Sequence, residues 1–147
     1  MPGNYILLGI FTVCEAWVAS FTCIEFPPTT VFVAAVATVG VVVGAFFYAL
    51  FCEIDFNWVA GFLFASLFGL IFMAIFSIFY WTAWMNVLYT GLAILIFSIY
   101  IMLDLYLIIG KDGISYSKDD YIVAALTLYI DIMRLFLEIL IASGNNN

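Results

Sequence analysis

The sequence predicts an all-α membrane protein, a polytopic bundle of five transmembrane helices, and three observations carry that prediction. Of its 147 residues, 68% are hydrophobic and 9% are charged, with a mean hydropathy of +1.26; soluble domains run at roughly 45–50% apolar and about 25% charged. Five apolar segments reach or approach the ~20 residues a helix needs to cross hydrocarbon. They run from Tyr5 to Cys23, Thr30 to Cys52, Trp58 to Tyr80, Met85 to Gly110 and Tyr121 to Ser143. Short stretches with turn chemistry, "IEFPPTT", "CEIDFN", "WTAWMN" and "GKDGISYSKDD", separate them. Short connections imply antiparallel neighbours, and residues 1–147 are expected to form one transmembrane domain.

The first segment ends in V-A-S like a signal peptide, but no basic residue precedes its apolar run and Glu15 lies inside it. It therefore counts as a span, with Thr12, Glu15, Ala19 and Thr22 on one stripe. The second follows Pro27-Pro28 and carries a strict G-x-x-x-G at Gly40 and Gly44. Trp58 opens the third, and Trp81 and Trp84 close it, as amphipathic rings do at headgroup level. Gly61, Ala65 and Gly69 repeat the small-residue spacing there. Lipid tails are as apolar as leucine, so membrane helices associate where small residues let backbones approach. These five positions are the expected packing faces of the second and third helices. The fourth helix aligns Thr90, Ala93, Phe97, Tyr100 and Asp104. For the fifth, Ser117 and Asp120 have capping-box spacing, which puts its start at or near Lys118.

Charge narrows the function classes. Ten acids against three bases give a net charge of -7, and no Lys/Arg cluster exists to bind nucleic acid or an anionic lipid surface. Lys111 and Lys118 flank the last loop, so the positive-inside rule places that loop and the N-terminus on the cytosolic side. Cys14, Cys23 and Cys52 form no C-x-x-C and the chain has no histidine, so no zinc or di-iron site is expected and the thiols are taken as free.

The informative residues are the charges inside the apolar runs. An Asp or Arg at the centre of a membrane helix costs about 2.5–3.5 kcal/mol on the insertion scale, so Asp104, Asp131 and Arg134 together cost on the order of 10 kcal/mol before pairing. Asp131, Arg134 and Glu138, spaced by three and then four residues, share one stripe of the fifth helix. The polar stripes of the first, fourth and fifth helices are expected to converge on a central wet or hydrogen-bonded cavity. Asp104 and Asp131 stand at unequal distances from the loop that joins their helices, so a depth mismatch is expected unless the fifth helix starts late or tilts. If the two carboxyl groups meet, they cannot both ionise cheaply and they share a proton. Local alternatives are an Asp131–Arg134 ion pair within one helix and a Glu138 side chain that snorkels to the interface.

The stretches "NYILLGIFTVCEAWVAS", "DFNWVAGFLF", "LYTGLAILIFSIYIMLD" and "SYSKDDYIVAALTLYIDIMRLFLEIL" resemble the last five of the seven helices of the transmembrane Bax inhibitor motif family, Lifeguard branch. The resemblance implies that Asp104 and Asp131 correspond to a hydrogen-bonded aspartate pair linked to proton-sensitive calcium leak. Tyr100, Glu15, Glu138 and Arg134 are the further candidates for pairing with it. The family's Y-D-T-Q-like run is here Leu103-Asp104-Leu105-Tyr106, and Arg134 replaces a common Asn. Arg134 is a candidate stand-in for a basic residue of the family's second helix.

The resemblance further implies a calcium leak and regulation of apoptosis in an endoplasmic reticulum or Golgi membrane, with calcium as permeant and no cofactor. The alternative is a non-conducting interaction protein acting on full-length family members or apoptosis regulators. Intramembrane aspartyl proteolysis is disfavoured because it needs G-x-G-D, and the second aspartate sits in Leu128-Tyr129-Ile130-Asp131.

Overall fold

A computed structural model describes residues 2–53, 55–80, 82–110 and 120–145. Five helices follow one another: α1 (Pro2–Ile24), α2 (Pro28–Phe51), α3 (Phe56–Phe79), α4 (Ala83–Ile109) and α5 (Tyr121–Gly144). Their limits follow local chemistry. Proline at the first position of α2 supplies a preset φ where the backbone N–H would be unsatisfied in any case. Gly110 stops α4 in the left-handed region at φ 72°, its N–H returning to the Tyr106 carbonyl. Lys111, Ser117, Lys118 and Trp81 lie outside the described residues, and so does the expected start of the fifth helix near Lys118.

Four helices are long and apolar enough to cross a membrane on their own terms: Gly3–Ile24, Pro28–Phe51, Asn57–Phe79 and Ala83–Ile109. The fifth has comparable length, 24 residues, and differs in carrying Asp131, Arg134 and Glu138. The outside of the bundle is apolar throughout, with Trp17, Phe32, Phe51, Phe72 and Ile78 among many exposed large hydrophobics. Such a surface suits lipid rather than water.

The core forms where α4 meets two sets of neighbours. One face of α4 gives Ile101, Leu105 and Tyr106 to Ala49 of α2 and Leu135 of α5. Another gives Ala93, Ile96 and Leu103 to Leu63 and Leu70 of α3. Helices α2, α4 and α5 pack mutually, α3 flanks α4, and α1 flanks α5. Chain neighbours α1 and α2, and α2 and α3, are not extensively packed. A short connection thus did not ensure a packed antiparallel pair. The first and last helices run parallel: the Tyr5 and Tyr121 hydroxyls bond at their N-terminal ends, and Thr22 and Glu25 share a cavity with Ile141 and Asn145 at their C-terminal ends.

The small-residue expectation is corrected. A Cβ built on Gly40, Gly44, Gly61 or Gly69 meets nothing within 4 Å, and Ala65 is exposed, so these positions face outward. Instead α2 buries Thr30, Ala34, Thr38 and Ala49, a second small-residue stripe on the opposite side of the same helix. The Thr38 hydroxyl donates to the Ala34 carbonyl at 2.7 Å, so it enters the core without an unmet polar group. On α3 the inward residues are Leu63 and Leu70, about half a turn from the glycines.

Two substitution sets separate these faces. Leu135→Ala, at a residue with 0% exposure, should lower stability by about 2–5 kcal/mol in an SDS unfolding titration. Gly40→Ala and Gly44→Ala, with open space around each Cβ, should stay within about 0.5 kcal/mol of the parent.

Candidate functional site

Asp104 lies on the inner side of α4 with 6% exposure, flanked in sequence by the buried Leu103, Leu105 and Tyr106. Water cannot solvate it there, so the neighbouring helix must. Its carboxyl group has side-chain hydrogen-bond partners in Thr127 and Asp131, both on α5. Its Oδ2 is buried with no hydrogen-bond partner among the described residues. Thr127 and Asp131 are one turn apart on a common face, and Asp104 reaches both. The expected depth mismatch is thereby absorbed by an offset of about one helical turn between α4 and α5.

Thr127 was not singled out from the sequence, although its i, i+4 spacing to Asp131 was available as a signal. Its Oγ1 also lies 3.2 Å from the Val123 carbonyl and 3.1 Å from the Ala124 carbonyl. Thr127 has a single hydroxyl proton, so it donates either along its own helix or to an ionised Asp104, and it can accept from Asp104 only when that carboxyl is protonated.

The other candidates divide. The Tyr100 hydroxyl donates to the Leu63 carbonyl of α3 at 3.0 Å, tying α4 to α3. Asp131, Arg134 and Glu138 line one groove of about 480 Å³ with Tyr89 and Tyr100 of α4 and Leu70 of α3. Glu138 is half-buried and lines both this groove and the cavity that opens toward the C-terminal end of α5. Arg134 is exposed and makes no ion pair among the described residues, so the local Asp131–Arg134 pair is not formed.

A second cavity, of about 440 Å³, shares Ala74, Tyr89 and Glu138 with the first and extends to Glu25, Asn86 and Asn145 at the C-terminal end of α5. The two cavities adjoin at those three residues, one reaching Asp131 and the other the C-terminal end of α5. At its outer end a Cβ on Gly144 would overlap the ring of Phe26, in the α1–α2 connection, so a larger residue there requires that ring to move.

The three expected polar seams do not all converge. Those of α4 and α5 meet, whereas on α1 the Thr12 and Thr22 hydroxyls donate to their own helix, to Leu8 O at 2.8 Å and Val18 O at 3.3 Å. A threonine bonded to its own preceding turn asks nothing of a neighbour. Glu15 is half-buried on α1, with no hydrogen bond or ion pair among the described residues.

Comparison with known families gives this arrangement its context. The family model described as "Inhibitor of apoptosis-promoting Bax1" matches residues 1–147. The chain belongs to that family. Among similar proteins, Protein LIFEGUARD 4 of Arabidopsis thaliana is 38% identical over 143 residues, covering 95% of this chain and 56% of the relative. Protein LIFEGUARD 3 of the same plant is 36% identical over 143 residues, with the same coverage. Bax inhibitor 1 of Schizosaccharomyces pombe is 32% identical over 142 residues, covering 95% of this chain and 51% of the relative. The chain spans about half the length of these Bax inhibitor and Lifeguard relatives.

Thr127→Val removes the hydroxyl beside Asp104 and should cost about 0.5–1.5 kcal/mol in SDS unfolding. Thr12→Val, whose hydroxyl serves only its own helix, should change stability by less than about 0.5 kcal/mol.

Proposed function

We propose that this Bax inhibitor family chain is a pH-sensitive calcium leak of an internal membrane, endoplasmic reticulum or Golgi, through which it regulates apoptosis. The observation that carries the reading is the buried Asp104 carboxyl beside Asp131, with one oxygen left unpartnered. Ionised carboxylates are acceptors only, so a hydrogen bond between the two side chains requires a proton on one of them. Loss of that proton leaves two like charges in a low-dielectric contact, which favours moving α4 and α5 relative to each other. The adjoining cavities, lined by Glu25, Glu138 and Asp131, support a cation route, because acidic side chains along a route attract cations. Calcium enters as the permeant ion. The pair acts here by titration and not by proteolysis, since the G-x-G-D positioning motif is absent from the sequence.

A second reading, a non-conducting protein that modulates full-length family members or apoptosis regulators within the lipid, draws support from the outward Gly40/Gly44 and Gly61/Gly69 faces.

Purified chain in liposomes should release or admit calcium at a rate that varies with pH. Asp104→Asn combined with Asp131→Asn should abolish that pH dependence. Flux no greater than that of empty liposomes at any pH would reject the leak and favour the second reading.

A further inference from the structure

Three ionisable side chains of α5 line one groove, and the middle one is a cation with no ion pair or hydrogen bond among the described residues. Arg134 lies one turn beyond Asp131 and one turn before Glu138, and all three face the same space between α3 and α5 over α4. The remaining groups there are the Tyr89 and Tyr100 phenols of α4, with Asp104 behind Asp131, while α3 contributes only Leu67, Leu70, Ile71 and Ala74. Arg134 is the one base among the described residues, and it makes no ion pair or hydrogen bond there. Its field nevertheless reaches Glu138 and Tyr89, on the side of the groove leading outward.

Arg134 stands ten residues before Gly144, the last residue of α5, about 15 Å along the helix axis. A headgroup phosphate at that end would meet the guanidinium only if the side chain extended toward it. The guanidinium remains charged at any pH reached in a cell, so it acts as a fixed positive charge within the groove.

We infer that Arg134 is a selectivity residue, a permanent cation that offsets Glu138 and limits the entry of divalent relative to monovalent cations on the way to Asp131. This inference rests on the cation-leak reading and adds the residue that sets which cation passes. Counting the three α5 side chains alone, with Asp104 adding its own charge behind them, Arg134 and Glu138 cancel while Asp131 is protonated. When Asp131 ionises, the net charge of the three becomes -1, by the signs of the side chains. Replacing Arg134 by glutamine shifts both states by one negative charge. A doubly charged ion feels that change twice as strongly as a singly charged one.

The test measures calcium and potassium fluxes in parallel on liposomes holding the native chain, Arg134→Gln or Arg134→Lys. Terbium luminescence sensitised by the groove tyrosines supplies a readout that needs no conduction. Arg134→Gln should raise the calcium-to-potassium flux ratio by about tenfold and strengthen terbium luminescence, with Glu138→Gln reversing the latter. Arg134→Lys, which keeps the charge, should resemble the native chain in both. An unchanged flux ratio in a conducting Arg134→Gln protein overturns the inference and leaves the leak reading intact. Absence of flux from every variant overturns the leak reading and this inference with it. A rise in luminescence with Arg134→Lys equal to that with Arg134→Gln would show that shape and not charge matters, and would also overturn it.

Discussion

A carboxyl group buried in an apolar bundle depends on a neighbouring helix for its partners, and Asp104 finds its side-chain partners on α5, with Oδ2 left without one among the described residues. That requirement fixes more than one contact. It sets the register between α4 and α5 to the turn that offers Thr127 and Asp131 together. The Asp131, Arg134 and Glu138 stripe is thereby turned toward α3 and α4. With α5 so rotated, Leu135 falls against Ile101, Leu105 and Tyr106. The polar contact and the apolar core are then two consequences of one helix orientation. The remaining elements pack around this pair: α2 against both helices, α3 on the far side of α4, α1 on α5.

Much of this was legible in the residues. Helix number and approximate limits followed from hydropathy and from Pro, Gly and acidic interruptions, because each helix must satisfy its own backbone in lipid. The charged residues of α4 and α5 pointed to the site because insertion makes unneeded charges costly. The packing faces were less legible. On α2, Gly40/Gly44 and the Thr30/Ala34/Thr38 series are both small-residue stripes, and periodicity alone does not rank them. What distinguishes them is that inward threonines can hide their hydroxyls against their own carbonyls, as Thr38 does. The same chemistry misled the reading of α1, where a threonine stripe looked like a polar seam and is locally satisfied. Thr127 escaped notice for the converse reason: it has local carbonyls within reach and also meets a carboxyl across the helix contact.

The outer surface carries its own information. Nearly every large exposed side chain is aliphatic or aromatic, and the two glycine-bearing faces open onto that surface with nothing among the described residues against the glycines. Such faces admit lipid or another helix closely. The side chains that distinguish this bundle chemically are gathered instead on the α3–α4–α5 side. Relatives about twice as long share this portion at 32–38% identity, so the α4–α5 contact lies in the shared part of the family.

The depth of Asp131 has an electrical meaning as well as a chemical one. Asp131 stands 13 residues before Gly144, about 20 Å along the helix axis within a hydrocarbon layer of about 30 Å. On the proposed leak reading, a proton reaching it from the C-terminal end of α5 would cross a large part of the transmembrane field. Full passage of one charge is worth about 2.3 kcal/mol per 100 mV, so arrival at this depth is worth on the order of 1 kcal/mol at that voltage. On that reading, proton occupancy of the carboxylate would then follow the potential across the bilayer together with the acidity of the compartment at that end.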